Sequence, residues 1–121
     1  MEYVAAYVNN GKSTLTRYGE SLVNGDSKTK NVYSKGSSDD REHNYIANSE
    51  KYGDAVYETS TSGSGSKSWY GDSSYFSNTS GPFFRRGGSY SNGVTAGVFR
   101  FYSANGGSNS YYSFRPVLVA L

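Results

Sequence analysis

The residues best suited to chemistry lie together in the segment DDREH, residues 39–43. This segment combines three carboxylates with the only histidine of the chain, so it offers hard oxygen ligands and one imidazole to a metal ion. Its spacing matches no ligand pattern, however, and clustered charges of both signs in a turn-rich segment usually face water. We therefore interpret residues 39–43 as a solvated loop, and we expect neither a metal site nor a cofactor.

Catalytic groups are equally scarce in the rest of the chain. A nucleophile with its base requires two or three converging groups, but the sequence has no cysteine and a single histidine. Glu50, Asp54 and Glu58 are candidates for the paired carboxylates of a glycosidase, although their separation in space does not follow from the sequence. The segment GGSYSNG, residues 87–93, lacks the lysine of a phosphate-binding loop and predicts a turn. We expect that the protein is not an enzyme.

The clearest functional signal is the composition between Gly87 and Arg115, where 19 of 29 residues are glycine, serine, tyrosine or asparagine. The same four types dominate antibody contact loops, because tyrosine gives a large contact with few torsions and the others give adaptable hydrogen bonds. A structural explanation stays open, since Gly, Ser and Asn form turns and Tyr favours strands. The composition favours a recognition surface.

A second signal is the absence of certain residue types. Lys, Glu, Gln, Met and Trp account for 13 of the first 69 residues and for none of the last 52. These types cannot be reached from an asparagine codon by changing only its adenines, whereas every type present from Tyr70 to Leu121 can. The pattern fits adenine-directed diversification of this part of the chain.

The length and composition indicate one small folded domain. With 121 residues the chain can form a single hydrophobic core, so we expect one domain over residues 1–121. Aromatic residues make up 17% of the sequence, which argues against disorder. No segment resembles a signal peptide, and none is apolar for long enough to span a membrane.

Charge is distributed unevenly along the chain. All ten acidic residues lie before position 73, and Arg85, Arg86, Arg100 and Arg115 follow it. These arginines predict a mildly positive face, but they lack the clustering that is typical of proteins that bind the phosphate backbone. We expect no nucleic-acid partner.

The elements that position the candidate surface are short in the first half of the chain. EYVAAYV, residues 2–8, predicts a strand that ends at a turn. The next segment predicts a short helix with Ser13 or Thr14 as its N-cap and Gly25 as its stop. Residues 24–50 predict polar turns.

The second half of the chain predicts further strands. AVYET, residues 55–59, predicts a brief strand, and the Gly- and Ser-rich segment after it a flexible loop. Three more strands are expected near residues 82–90, 94–103 and 112–120. In the middle one, Phe99 and Phe101 would face the core, and Arg100 and Tyr102 would face outward.

Several segments resemble the formylglycine-generating-enzyme (sulfatase-modifying factor) type of C-type lectin fold. RRGGSYSNG, AGVFRF and SFRPVLV are similar to its closing motifs, an Arg-Gly-Gly-Ser-aromatic segment before the final strands and a terminal Phe-Arg-x-Val. EYVAAYV resembles the Glu-aromatic-Val strand in the middle of that domain. With KYGDAVYETS and SWYGDSSYF between them, these motifs look most like the variable ligand-binding proteins of diversity-generating retroelements in phages and gut bacteria.

The resemblance implies an α+β, C-type-lectin-like fold: a twisted antiparallel sheet with long irregular loops and one or two short helices. It implies a receptor-recognition module on a virion tail or an extracellular or bacterial cell surface, whose ligand is a protein or glycan on a cell surface. Variable, solvent-facing binding positions would be Tyr90, Ser91, Thr95, Arg100, Tyr102, Ser103, Ala104, Ser108, Tyr111 and Tyr112, followed by a second tier of Tyr70, Asp72, Ser74 and Tyr75. The scaffold would include Gly87, Gly88, Phe99, Phe101, Phe114, Arg115 and Val117.

Among the binding positions, Arg100, Tyr102, Tyr111 and Tyr112 would be the anchors, because Tyr and Arg most often dominate contact energies. The family's oxidases hold copper with a cysteine pair that this chain lacks, so their activity is not carried over. The Glu-Pro-Asn, Gln-Pro-Asp and Trp-Asn-Asp motifs of calcium-dependent lectins are also missing, so sugar binding through calcium is not expected.

The family's domain has another strand and two helices before the Glu-aromatic-Val strand, which leaves three arrangements open. The chain is the C-terminal part of such a fold, a partner chain or second copy completes the domain, or residues 9–60 rebuild the missing elements. Two other functions also stay open. Gly/Ser/Tyr-rich strands with little charge suit a structural or self-associating fibre component, and stacked tyrosines with arginines suit single-stranded nucleic acid.

Overall fold

A six-stranded mixed sheet forms the centre of the protein, in a computed structural model that describes residues 1–11, 14–116, 118 and 120. The strands are β1 (Glu2–Asn9), β2 (Asn31–Ser34), β3 (Ser64–Gly65), β4 (Ser74–Tyr75), β5 (Phe83–Arg86) and β6 (Phe101–Ala104). Their order in the sheet is β2-β1-β5-β6-β4-β3. The β1–β2 and β4–β6 pairs are parallel and the other pairs are antiparallel. The predicted α+β class is confirmed, but the sheet is mixed instead of antiparallel.

Short helices connect the strands. Within the described residues they are the α-helices α1 (Thr14–Asn24), α2 (Arg41–Ile46) and α3 (Ala55–Glu58), with 3-10 turns at Ser27–Thr29, Trp69–Gly71 and Tyr90–Thr95. In this part of the chain every helix is too short or too polar to serve as a membrane span.

The local predictions for β1 and α1 are confirmed, and several later ones are wrong. Residues 24–50 hold β2 and α2 in addition to turns, and residues 55–59 form a helix where a strand was expected. The described residues of 112–120 form no named strand, since only Ser113 pairs, in an isolated bridge with Glu2. Ser13 and Val117, predicted as N-cap and scaffold, lie outside the described residues.

One face of the sheet carries the larger hydrophobic core. Because side chains alternate along a strand, Phe84 of β5 and Phe101 of β6 point to this side. The ring centroids of Phe76 and Phe84 lie 4.9 Å apart, as in favourable aromatic pairs. The buried members of this core are Val8, Tyr33, Tyr45, Val56, Phe76, Phe84 and Phe101, so α2 and α3 pack here.

The opposite face is covered at one end by α1. Leu15 packs there with Tyr7, Phe83 and Ala104, which are all buried. A Cβ atom on Gly19 would lie 2.4 Å from the Phe83 ring, so only glycine lets the helix approach the sheet this closely. The helix kinks at the same residue.

Two asparagines of α2 and the turn that follows it tie this helix to the rest of the fold. Asn44 is fully buried; its amide donates to the Ser77 carbonyl at 2.9 Å and its Oδ1 accepts from the Gly36 N–H at 2.7 Å. Asn48 accepts from the Ser34 N–H and donates to the Ser34 carbonyl, both at 2.8 Å. These side chains form hydrogen bonds with backbone N–H and carbonyl groups that have no partner in a neighbouring strand.

The charged segment 39–43 begins α2, so its interpretation as a solvated loop is wrong. Asp40 is the N-cap, and its carboxylate accepts from the backbone N–H groups of Glu42 and His43 at 3.1 and 3.0 Å. The hydrogen bond from the His43 backbone, with smaller contributions from Ser38 and the His43 ring, lowers the pKa of Asp40 to about 2. An acidic group here also suits the positive end of the helix dipole.

The charge of Asp40 makes a pH-dependent contribution to stability. Because its pKa is lowered by folding, this stabilisation is complete above the unfolded pKa of about 3.9 and is lost as the pH falls through about 2. Asp40→Asn keeps an N-cap acceptor but carries no charge. We expect the melting temperature of the wild type to exceed that of the variant by an amount that shrinks between about pH 4 and pH 2. A difference that stays constant over this range would contradict the assignment.

Candidate recognition surface

Three loops meet at one end of the sheet, where β1, β4 and β6 begin and β5 ends. They comprise residues 69–72, 87–99 and 109–114, and we call them the loop surface. The Asp72 carboxylate joins the first two loops by accepting from the Gly97 and Phe99 N–H groups at 3.1 and 3.0 Å. The rings of Tyr90 and Tyr111 join the second and third, with centroids 6.0 Å apart.

Asp72 acts as a buried clamp beneath the loop surface. It is only 3% exposed, so the expectation that it faces solvent is wrong. A Cβ atom on Gly97 would lie 1.9 Å from the Asp72 Oδ2 atom, so the clamp requires glycine at that position. The loops are therefore held by a specific contact, in spite of their turn-rich composition.

Large apolar side chains stand out into solvent from all three loops. Tyr70, Tyr90 and Val94 are 90%, 89% and 97% exposed. The other exposed members of the surface are Trp69, Val98, Tyr111 and Phe114. Single exposed apolar residues are common on proteins, but a group of adjoining ones marks an interaction surface.

The first loop is held in an unusual backbone conformation. Tyr70 has φ +60°, which places a non-glycine residue in the left-handed region. Its ring stacks on Phe99 at a centroid distance of 5.8 Å, and Trp69 contacts the same ring at 5.1 Å. A non-glycine residue is strained in the left-handed region and persists there only where the surrounding structure holds it. Such residues cluster at functional sites.

Behind the loop surface, three tyrosines and one arginine lie side by side across four strands. Tyr3 lies opposite Arg85, Arg85 opposite Tyr102, and Tyr102 opposite Tyr75. The Arg85 guanidinium carbon lies 5.4 Å from the Tyr102 ring centre and 4.3 Å from that of Tyr112. These distances are typical of cation–π contacts.

Two further arginines extend this arrangement. The guanidinium carbon of Arg100 lies 4.8 Å from the Tyr102 ring, and that of Arg41 lies 4.9 Å from the Tyr75 ring. We call the whole set the Tyr–Arg row: Tyr3, Arg41, Tyr75, Arg85, Arg100, Tyr102 and Tyr112. It lies beside the core cluster beneath α1, against which Tyr3 packs, and Arg41 reaches it from α2.

The predicted binding residues divide into three groups by exposure. Tyr90, Ser91, Ser108 and Tyr111 are exposed, Thr95, Tyr102 and Tyr112 are half-buried, and Arg100, Ser103 and Ala104 are buried. Tyr90, Ser91, Thr95 and Tyr111 lie in the loop surface, and Tyr102 and Tyr112 in the Tyr–Arg row. The structure thus brings most of the predicted residues together.

For the three buried residues, the expectation that they face solvent is wrong. Arg100 shares a face with Tyr102, but its Nη1 lies 3.1 Å from the Met1 sulfur and 3.3 Å from the Gly87 carbonyl oxygen. Ser103 points to the core face with Phe101 because the two are two positions apart on one strand. Ala104 lies in the core beneath α1.

Other positions also differ from expectation. Ser74, in the second tier, is fully buried and donates to the Gly65 carbonyl at 2.9 Å. Phe114 and Arg115, expected in the scaffold, are exposed, and Arg115 pairs with Glu2 at 3.2 Å. Trp69, Val94 and Val98 are absent from the predicted set, although large apolar residues within a Gly/Ser/Asn-rich segment are a usable signal.

The predicted positive face does not form. Arg85 and Arg100 are buried and Arg86 is half-buried, which leaves Arg115 as the exposed member of the group. Burial, followed by the nearby charge of Arg85, lowers the pKa of Arg100.

A shallow cavity of about 270 Å³ opens beside the Tyr–Arg row. Its walls include Tyr3, Ser108, Tyr112 and Phe114. Pockets for small-molecule ligands are usually larger, roughly 300–1,000 Å³. The cavity therefore suits one side chain of a partner better than a whole metabolite.

The candidate catalytic carboxylates are not gathered in a cleft. Asp54 caps α3 through the Val56 N–H and accepts from the Tyr33 hydroxyl at 2.6 Å and from Asn31 at 2.8 Å. Glu50 and Glu58 are exposed. Within the part of the chain that the structure describes, no group of three or more His, Cys, Asp or Glu residues could hold a metal ion.

Removal of the Asp72 carboxylate should loosen the loop surface. In Asp72→Ala the N–H groups of Gly97 and Phe99 lose their acceptor, which we expect to cost about 1–3 kcal/mol in urea unfolding. Hydrogen exchange at these two amides should accelerate more than exchange in β5. Glu20→Ala removes the same charge from an exposed site and should leave both measurements unchanged. Equal effects of the two substitutions would show that Asp72 is not a clamp.

Comparison with known proteins gives no family for this chain. No family model matches it, and no curated protein or solved structure does so either.

Proposed function

We propose that the protein is a non-catalytic recognition module that binds a protein or glycan on a cell surface. The observation that carries the proposal is the group of exposed aromatic and aliphatic side chains on three adjoining loops, which buried contacts fix from behind. Tyrosine and tryptophan are the residues that most often dominate binding energy at interfaces. Tyr70, Tyr90 and Trp69 are the exposed anchors in this proposal.

The loop surface is held in place by hydrogen bonds from within the chain, which favours binding. Besides the Asp72 clamp, Asn92 accepts from the Ser89 N–H at 2.8 Å in a capping box at the start of the 3-10 turn Tyr90–Thr95. The amino terminus also donates to the carbonyls of Gly88 and Tyr111 at 3.3 and 3.1 Å. Loops that are ordered beforehand lose less conformational entropy when they bind.

In the same proposal the loop surface is diversified through adenine substitution and displayed on a phage tail or bacterial surface, in a C-type-lectin-like framework. Two observations support this view. The five residue types that adenine changes in an asparagine codon cannot produce are missing after Trp69. The most exposed residues of this segment include tyrosine, serine and valine, which such changes can produce.

Deep sequencing of the encoding locus in its source population tests diversification. We expect replacements that change only adenines, concentrated at exposed positions such as Tyr70, Tyr90 and Ser91. Asp72 should vary less than they do, because the clamp depends on its carboxylate. An invariant segment, or replacements that include Lys, Glu and Gln, would contradict the proposal.

Substitution of a single tyrosine tests the binding surface itself. The purified protein is first tested for binding to a panel of bacterial cells. We expect Tyr90→Ala to weaken binding about 30-fold on a cell type that binds, because loss of an interface anchor costs about 2 kcal/mol or more. Tyr52 is 94% exposed and lies outside the loop surface, so Tyr52→Ala is the matched control and should bind as the wild type does. Equal binding by both variants would place recognition elsewhere.

The alternative of a self-associating fibre component stays a prediction. Strand edges are the usual route to such association, but the edge strand β3 has only two residues and Asn48 occupies the outer N–H and carbonyl groups of Ser34 in β2. Self-association through the exposed side chains of the loop surface is the form of this alternative that we test. Sedimentation that shows concentration-dependent oligomers, abolished by Tyr90→Ala, would favour this alternative.

A further inference from the structure

We propose that the Tyr–Arg row accepts a carboxylate from an acidic side chain of a protein partner. This inference rests on the proposed recognition function and names the chemistry of the partner. It concerns Arg85 and Arg100, whose guanidinium groups both contact the Tyr102 ring.

Neither arginine forms an ion pair within the described residues, although the charge of the buried Asp72 acts on Arg100 and offsets part of the lowering of its pKa. The only ion pairs found there are Arg115 with Glu2 and His43 with Asp40. The Nε atoms of Arg85 and Arg100 are buried and form no hydrogen bond, and the same holds for Arg41. Buried charges are normally paired, because removal from water without a partner is costly.

The hydrogen bonds that are present use only some of the N–H donors of each guanidinium group. Of the five N–H donors on Arg85, the Nη2 group donates to the Ser103 carbonyl at 3.0 Å. Arg100 uses Nη1 towards Met1 and Gly87. The tyrosine rings offset some of the charge through cation–π contacts. Donor capacity therefore remains on both groups for an incoming acceptor.

A carboxylate matches this capacity best. The planar fork of a guanidinium donates two parallel hydrogen bonds to a carboxylate, and such charge-assisted bonds are about twice as strong as neutral ones. Tyr112, at one end of the row, lies in the loop 109–114, so its backbone is not held by a sheet. Movement of this ring, which lies 4.3 Å from the Arg85 guanidinium carbon, would open the path for the acidic group.

The surroundings favour a protein over a polyanion as the source of the carboxylate. Protein interfaces combine exposed aromatic residues with a few charged anchors, as the loop surface and the row do together. A nucleic acid or a heavily charged glycan would require many exposed cations. Of the four arginines after Asp72, Arg115 alone is exposed, and it is already paired with Glu2.

The test observes the arginine Nε–H signals by ¹⁵N NMR while carboxylates are added. Acetate is the first probe, followed by tetraglutamate with an acetylated N-terminus and an amidated C-terminus and by tetragalacturonate, each of which carries four carboxylates. We expect saturable shifts of the Arg85 and Arg100 signals, with a dissociation constant of about 1 mM or lower for tetraglutamate and weaker binding of tetragalacturonate. Absence of saturable shifts would overturn the inference, and so would tighter binding of tetragalacturonate.

Three variants show whether the shifts report a specific site. Arg85→Gln should weaken the tetraglutamate response at least 10-fold, and Arg115→Gln, which removes the same charge from the surface, should leave it unchanged. Equal losses in both would indicate general charge attraction and overturn the inference. If Arg85→Gln does not fold, Arg85→Lys keeps the charge but loses the fork, so affinity should fall; unchanged affinity would contradict the proposal.

The carboxylate titration and the cell-binding experiment can fail independently of each other. If no carboxylate binds while Tyr90→Ala still weakens binding to cells, the carboxylate inference alone is wrong. If carboxylates bind and Tyr90→Ala has no effect on cell binding, the anion site stands and the loop surface is not the recognition surface.

Discussion

Phe84 and Phe101 reach the aromatic core because β5 and β6 pair in a single register, in which Arg86 lies opposite Phe101 and Arg85 opposite Tyr102. Side chains alternate along a strand, so the register that sends the phenylalanines to one face also sets Arg85 and Tyr102 side by side on the other. A slip of one residue would turn Phe84 towards the outer face and Arg85 into the core. The hydrophobic core and the Tyr–Arg row are therefore two results of the same pairing, and the loops that leave β5 and enter β6 take their positions from it.

Most of the remaining order comes from polar side chains that pair with the backbone. Apart from β1, no strand in the described residues exceeds four residues, so the sheet itself pairs relatively few N–H and carbonyl groups. Asn44, Asn48, Asp54 and Asp72 accept from backbone N–H groups in loops, at a helix start or, for Asn48, at the end of the edge strand β2. Each of these bonds replaces one that regular secondary structure would otherwise supply. This explains how a chain rich in glycine, serine and asparagine has ordered loops around a small core.

The sequence predicts β1 and α1 because their signals are local: alternating apolar residues in one, and helical spacing followed by Gly25 in the other. The segment AVYET predicts a strand from the preferences of Val and Tyr, but Asp54 directly before it caps a helix, and the cap outweighs those preferences. Alternation also predicts correctly that Arg100 and Tyr102 share a face. It cannot predict that Arg100 is buried, because the covering contact comes from Met1, 99 positions away. Resemblance to antibody contact loops identifies Tyr90 and Tyr111 as exposed but not Val94, since valine is not typical of such loops; only its apolar side chain within a Gly/Ser/Asn-rich segment indicates its exposure.

In the loop surface, some residues determine the path of the backbone, and others determine which groups are presented to a ligand. A Cβ atom on Gly88 would lie 2.5 Å from the Ala96 Cα atom, so this position, like Gly97, is fixed by close packing. Tyr90 contacts Tyr111 in a T-shaped ring pair and is 89% exposed, so its side chain can be replaced without loss of a buried hydrogen bond. Asn92 is exceptional, because its side chain holds the capping box while both adenines of an asparagine codon would be open to change in the diversification that we propose. Replacement of Tyr90 would change what the surface can contact, whereas replacement of Asn92 would also change the path of the loop that presents it.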